Sequence, residues 1–463
     1  MAQKGKSMYI KKVIINNIRS ISDFEMTFPE PAGWHVVIGD NGAGKSTVVK
    51  SIALALLDIT DINAAGQDWE EWLKNNGVPT GSIELFINPY ESNKIVQNKI
   101  TFQQKVTFQE DGYIFDDINI TIKEVIFRGR KTLDSVPSIP TTTFPHPTPS
   151  IRVEEIKQKR EYWFSAGYGP FRRFTGGSQD KEKIYKTNPN LGSHLSIFGE
   201  DVALPEALNF LRDLYIEELE ANKNERNGES GVKTKPKSTL ENLMKFINEA
   251  GLLPHGAAIH GVALKEIYFK DGYGNIVTSL QMSDGYRSIL SMTFELIRQL
   301  IRIYGNQLVF ENINNGKNII DLPGVVLIDE IDAHLHPTWQ TRIGEWFTKY
   351  FPKIQFIVTT HSPLVCRACE KGSIWRLASP GSDTESGEVT GLERERLIYG
   401  NILDAYGTEL FGQSPVRSDK SEEKLERLGH LNMLSAFGKI TEEEDKERLE
   451  LQKILSTDDP TGF

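Results

Sequence analysis

Gly39-Asp40-Asn41-Gly42-Ala43-Gly44-Lys45-Ser46 decides how this chain is read. The octapeptide has the pattern G-x-x-x-x-G-K-[ST], and its flanks supply the context that the pattern needs. Before it, Gly33-Trp34-His35-Val36-Val37-Ile38 is a short, mostly apolar run and predicts a buried strand. After it, Val48 to Leu57 is apolar on most faces and predicts a buried helix. Strand, glycine-rich loop and helix together make a cradle for an anion. Glycines let the backbone curl so that successive N–H groups face phosphate oxygens, and the helix N-terminus adds the positive end of its dipole. The expected contacts fall on Gly39, Asp40, Asn41, Gly42, Ala43, Gly44, Lys45, Ser46 and Thr47. The Lys45 ammonium is expected to reach the β- and γ-phosphates of ATP, and the Ser46 hydroxyl to ligate Mg²⁺.

Cleaving a phosphate needs more than a cradle. Gly324-Val325-Val326-Leu327-Ile328 predicts a second buried strand, and it ends in Asp329-Glu330. Asp329 is placed to hold Mg²⁺, directly or through water, and Glu330 to polarise the attacking water. A third strand, Ile354-Gln355-Phe356-Ile357-Val358, ends in Thr359-Thr360-His361-Ser362-Pro363. A strand-end histidine there can sense the γ-phosphate by a hydrogen bond. Lys45, Glu330 and His361 are thus the candidate catalytic residues.

The rest of the chain is expected to build around these three strands. Tyr9 to Ile18 is rich in Val and Ile, so residues 8–38 read as strand, turn, strand. Residues 81–128 alternate apolar and polar and predict an antiparallel layer. Residues 132–149, rich in Pro, Thr and Ser, predict a loop. Leu204 to Glu220 predicts an amphipathic helix, Ala221 to Ser238 a polar, flexible link, and Thr239 to Ala250 another helix. Ile259 to Thr278 reads as a hairpin with Asp271-Gly272 and Gly274-Asn275 turns, and Tyr286 to Leu300 as a helix. From Leu392 the chain is mainly helical, and its last helix starts at Thr441 with Glu444 completing a capping box.

Composition narrows the function classes. The formal net charge is −10 and the pI about 5.6, so any contact with DNA has to come from a local basic patch. No run of 18 apolar residues exists, so no membrane helix is expected. Met1 to Ser7 lacks an apolar segment of the signal-peptide kind, which points to the cytoplasm. Cys366 and Cys369 have C-x-x-C spacing but no second pair to complete a zinc site, so they read as core thiols. Trp69, Trp72 and Trp339 read as core or interface anchors. Lys233, Lys235 and Lys237 read as part of a solvated loop that could touch phosphates.

Together these motifs resemble the RecF/SMC-like branch of the ABC-ATPase superfamily. Gln281-Met282-Ser283-Asp284-Gly285-Tyr286-Arg287-Ser288 resembles the family's signature, with Asp284 in place of the first glycine and Tyr286 in place of the glutamine. Asp332-Ala333-His334-Leu335-His336-Pro337 resembles its D-loop, and Asn17-Ile18-Arg19-Ser20 its N-terminal element. Its Q-loop has two candidates, Gln67 and the segment Tyr168-Gly169-Pro170-Phe171-Arg172-Arg173. The second is preferred because it follows the antiparallel layer; Arg172 and Arg173 could equally be surface charges. The tail, with Ile398-Tyr399-Gly400, Leu403 to Gly407 and Phe411-Gly412, is similar to that of stand-alone bacterial defence ATPases of the PtuA type from Septu and retron systems.

The resemblance implies an α/β P-loop NTPase with an ABC-type head, an antiparallel β layer, a helical insertion and a helical C-terminal tail. It divides the chain into residues 1–178, 179–258, 259–392 and 393–463. It also implies a head-to-head homodimer around ATP-Mg, with Arg19, Ser283 and Gly285 added to the nucleotide contacts. No sustained heptads stand between Lys45 and Ser283, so a compact head is expected rather than a long-armed clamp. The expected function is ATP hydrolysis that controls a separate effector, a nuclease, in phage defence, without a membrane partner. A RecF-like protein that clamps DNA in an ATP-dependent way is the runner-up.

Overall fold

The phosphate loop leaves the C-terminal end of β3 (Gly33–Ile38), an inner strand of a six-stranded sheet. The structure is a computed structural model that describes residues 8–57, 59–65, 67, 70–73, 80–89, 94–109, 112–128, 164–172, 184, 187–199, 205–226, 238–264, 266–379, 381, 385–401 and 419–455. In the six-stranded sheet β3 lies between β13 (Gly372–Arg376) and β12 (Ile354–Thr359). Beyond β12 come β11 (Gly324–Ile328) and β7 (Ser165–Tyr168), all parallel, and β14 (Gly387–Glu388) adds an antiparallel edge on β13. Every residue of β3, β11 and β12 is buried. That is why these strands read as mostly apolar runs rather than alternating ones.

Register positions the site. Val37 pairs with Thr359, and Val358 with Ile328, so β3, β12 and β11 end nearly level. The segments after Ile38, Ile328 and Thr359 therefore emerge side by side at the carboxyl edge, where open α/β sheets bind ligands. On one face, α1 (Lys45–Leu56) packs into a core with β1 (Met8–Ile18) and β4 (Thr80–Pro89), through Val48, Ile52, Val13, Ile15 and Leu85. On the other face Trp34, Phe347 and Phe356 pack together, Trp34 stacked on Phe347 and both rings tilted against Phe356. They tie α5 (Ile343–Tyr350) to the sheet, and Phe246 of α3 (Thr239–Glu249) packs on Trp346, whose Nε1–H donates to the Ala250 carbonyl at 2.8 Å.

The expected antiparallel layer is present as a five-stranded sheet in the order β2-β1-β4-β5-β6, with β5 spanning Lys94–Gln109 and β6 Gly112–Arg128. Its member β2 (Ile21–Thr27) corrects the strand–turn–strand reading of residues 8–38, which contain three strands. Residues 258–278 likewise form three strands, not two: β8 (Ala258–Val262), β9 (Ile267–Lys270) and β10 (Ile276–Thr278). The Asp271 carboxylate accepts from the Tyr273 and Asn275 amides and turns the chain between the last two. Helix α2 (Pro205–Arg226) runs into the stretch read as a flexible link, and α4 begins at Asp284 and runs to Tyr304. Helix α6 (Gly391–Tyr399) is held to the Pro363–Lys371 turn by Arg394, which donates to the Cys369 carbonyl at 2.7 Å.

Residues 1–400 form one compact unit and residues 401–463 a second. The second unit contains α7 (Asp419–Ala436) and α8 (Glu442–Ile454), which pack through Leu428, Leu431 and Leu451 and through Arg427–Glu447 at 2.7 Å. Thr441 caps α8 and Glu444 closes the capping box, as their spacing predicts. Readings of residues 132–149, of Lys233, Lys235 and Lys237, of Trp69, of Arg173 and of the tail motif from Leu403 to Gly412 lie outside the described residues.

Candidate active site

The loop from Gly39 to Ser46 is curled by glycines with positive φ. Gly42 has φ 78° and Gly44 φ 104°. At Gly44 a Cβ would stand 2.7 Å from Ser20 Oγ, so both conformation and space require glycine. Gly44 is also the N-cap of α1, and no side chain caps that helix. Its first amides are thus left for an anion in place of a capping oxygen. Lys45, 6% exposed, lies across the loop and donates from Nζ to the carbonyls of Gly39 at 2.6 Å and Asp40 at 2.9 Å. Burial lowers its pKa, opposed by the charges of Glu330, Asp329, Asp40 and Asp332. Ser379 donates to the Asp40 carboxylate and ties the loop to the chain beyond β13.

The acid pair sits where β11 ends. Asp329 is 2% exposed and accepts from Thr359 Oγ1 at 2.5 Å. The Glu330 amide donates to the same hydroxyl at 2.8 Å. Glu330 has φ 47°, a left-handed conformation that costs a non-glycine residue about 1 kcal/mol or more and persists only where its surroundings fix it. At the end of β12 the Thr360 hydroxyl donates to Asp332 Oδ1 at 2.5 Å, and the His361 amide donates to the same oxygen at 3.3 Å. One carboxylate thereby fixes the segment that presents the His361 ring.

These segments converge on one cavity of about 240 Å³, lined by Ser20, Asn41, Gly42, Gly44, Lys45, Ser46, Thr47, Glu330 and His361. The loop, the second acid and the histidine, which lie far apart in sequence, share one space. Arg19 is not in the lining. Its guanidinium lies 5.0 Å over the Trp72 ring and 3.8 Å from Glu71, and it is the neighbouring Ser20 that faces the cavity. Ser283 and Gly285 do not line it either. They begin α4, where exposed Ser283 occupies the N-cap without a side-chain capping bond. Gly285 packs so closely that a Cβ would meet the His334 carbonyl at 2.6 Å. Gln67 donates to the Phe198 carbonyl and is also outside the lining.

Arg172 is the residue the sequence placed least well. It is 3% exposed, not a surface charge. It lies beneath the acid pair and donates to the Asp329 carbonyl at 2.8 Å and the Glu330 carbonyl at 3.0 Å. Burial lowers its pKa to about 10, with Asp329, Asp332 and Glu330 opposing. Cys366 and Cys369 are fully buried, and burial raises both thiols, which disfavours the thiolate a metal would need. Trp72 and Trp339 are buried, as expected of core anchors.

The oxygen donors available fit Mg²⁺. That cation takes one or two carboxylates and completes its octahedron with water and phosphate. Ser46 and Glu330 line the cavity and Asp329 immediately precedes Glu330. Among the described residues no group of three or more His, Cys, Asp or Glu side chains could hold a metal alone.

A parallel sheet with an anion-binding loop, a strand-end acid pair and a strand-end histidine on one cavity defines a P-loop ATPase. Residues 35–367 match the family described as "AAA domain, putative AbiEii toxin, Type IV TA system", and the chain belongs to it. It is similar to the Septu protein PtuA of Bacillus mycoides (strain KBAB4), with 24% identity over 459 residues, covering 94% of this chain and 52% of the relative. It is also similar to the Retron Ec83 probable ATPase of Escherichia coli, 32% identical over 195 residues that cover 39% of this chain and 33% of the relative. The Retron Vc95 probable ATPase of Vibrio cholerae serotype O1 biovar El Tor is 24% identical over 388 residues, covering 77% and 71%. The chain thus spans about half the length of that PtuA and a third of the Ec83 ATPase. Among solved structures, an SMC head bound to the C-winged helix domain of ScpA covers 83% of this chain and 98% of itself, at 16% identity and a TM-score of 0.44.

Proposed function

We infer that this chain hydrolyses ATP-Mg between two head-to-head copies and that the cycle controls a separate effector. The observation that carries the reading is the convergence of Lys45, Ser46, Glu330 and His361 on one cavity. Lys45 and the amides of residues 42–47 bind the phosphates, and Ser46 with Asp329 holds Mg²⁺. Bound magnesium neutralises charge on the phosphate oxygens. Glu330 orients and polarises the attacking water, and His361 donates to the γ-phosphate oxygens. Ser283 and the Gly285 amide reach the phosphate held by the other copy, in an isologous arrangement. An N-cap serine whose hydroxyl is not used by its own helix is suited to that task.

The relatives named for Septu and retron systems support a defence role, and the acidic balance favours control of a partner over direct clamping of DNA. A nuclease is the effector class this reading names. The test is steady-state ATP turnover and molecular mass, with and without ATP-Mg, for wild type, Lys45→Ala and Ser283→Arg. Lys45→Ala should lose ATP binding by about tenfold or more, because it removes a charge-assisted contact. Ser283→Arg should bind ATP yet remain monomeric. Ser283→Arg that dimerises on ATP as wild type does contradicts the sandwich.

A further inference from the structure

We propose that Arg172 is a positioning residue that couples the signature helix α4 to the hydrolytic acid Glu330; the proposal rests on the ATPase reading above. All five N–H groups of its guanidinium are used. Nε donates to Ser288 Oγ of α4 at 3.1 Å. Nη1 donates to the carbonyls of Gly169 at 3.0 Å and Asp329 at 2.8 Å, and Nη2 to those of Glu330 at 3.0 Å and Ile331 at 3.4 Å. Three successive carbonyls, from Asp329 to Ile331, thus turn toward one planar cation. Neither an extended strand nor a helix aims three consecutive carbonyls at one point. The chain does so here because Glu330 sits at φ 47°. The guanidinium and the left-handed backbone fix each other, and that backbone sends the Glu330 side chain into the cavity.

The same cation reaches the signature. Ser288 lies about one and a half turns after Ser283, and Ser291, nearly a turn further on, donates to the Arg172 carbonyl at 3.2 Å. Helix α4 therefore grips the 169–172 segment at both its guanidinium and its backbone. A second contact, Gly285 against the His334 carbonyl, joins the helix start to the segment after Glu330. A shift of α4 when Ser283 engages a nucleotide on another copy is passed through Arg172 to the backbone that aims Glu330.

Burying a guanidinium is costly, and a packed apolar side chain would fill the same space at less cost. A rigid five-donor fork does what an apolar group cannot, namely set the direction of several acceptors at once. Lysine retains the charge but has three donors and no plane, so it cannot hold all five acceptors.

The experiment compares wild type, Arg172→Lys, Arg172→Ala and Ser288→Ala in ATP binding at equilibrium, in kcat and KM, and in melting temperature. Ser288→Ala removes only the guanidinium's bond to α4, leaving that of Ser291 to the Arg172 carbonyl, and guards against an arginine variant that fails to fold. The expected result is a kcat at least tenfold lower in Arg172→Lys and severalfold lower in Ser288→Ala, with ATP affinity within about threefold of wild type. Wild-type kcat in Arg172→Lys and Ser288→Ala overturns the coupling. So does a loss of ATP affinity in step with melting temperature, since that is the behaviour of a purely structural arginine. A wild-type chain that binds ATP without turning it over overturns instead the ATPase reading beneath it.

Discussion

At the residue scale, backbone conformation decides what the side chains can do. Gly44 is the clearest case, since its φ of 104° and the Ser20 hydroxyl both reject a Cβ. Gly44→Ala should abolish ATP binding while leaving the sheet folded, read by nucleotide titration beside circular dichroism; unchanged affinity would show that the loop does not need this curl. Two buried histidines make a separate prediction about pH. His35, on β3, is hydrogen-bonded to Ser373 and Pro31, and burial lowers its pKa to about 4. His194 is likewise lowered to about 4 by burial. Below about pH 6.5 the unfolded chain binds protons at these sites that the folded chain refuses. Their contribution is complete above pH 6.5 and is lost as pH falls toward 4. At pH 5 each costs about 2 kcal/mol. Thermal melts at pH 7 and pH 5 should therefore diverge, and His35→Gln should narrow the gap; an equal gap in that variant removes His35 from the account. The phosphate loop was legible in the sequence because its chemistry is local: eight adjacent residues carry it. Arg172 was not, because every partner that gives it meaning lies in a distant segment or in backbone carbonyls, which no side-chain pattern records.

At the element scale, periodicity identified the buried strands and missed the short ones. Residues 33–38, 324–328 and 354–358 are apolar but for His35 and Gln355 because helices and the second sheet cover both faces of their sheet. Strand β2 escaped because only Arg19 and Ser20 separate it from β1, so turn and strand merge in the sequence. Strand β10 has three residues, too few for an alternation to register. Helix ends were read best where a side chain marks them. Ser238 caps α3 and Glu241 returns the bond, the reciprocal pair that also opens α8 at Thr441. Replacing Ser238 by Ala should cost about 1 kcal/mol. Chemical denaturation should show the midpoint falling at constant slope, and hydrogen exchange should rise first in residues 239–242. Unchanged exchange there would mean that tertiary packing, through Phe246 on Trp346 and Phe351, fixes the helix unaided.

At the scale of the whole molecule, the candidate site is divided. Lys45, Ser46, Glu330 and His361 share a cavity, whereas Ser283 and Gly285 stand at the start of α4 outside its lining. On the proposed reading a second copy completes the head, and turnover then depends on assembly. Turnover should rise more steeply than in proportion to protein concentration at the low end, measured at saturating ATP; strict proportionality would favour a monomeric enzyme. The measurement that bears most directly on the account is ATP turnover of Glu330→Gln, followed with its mass in ATP-Mg. Loss of the general base should slow hydrolysis by about a hundredfold or more while ATP still binds, so the variant should accumulate as an ATP-bound dimer. Turnover at the wild-type rate by Glu330→Gln would contradict it.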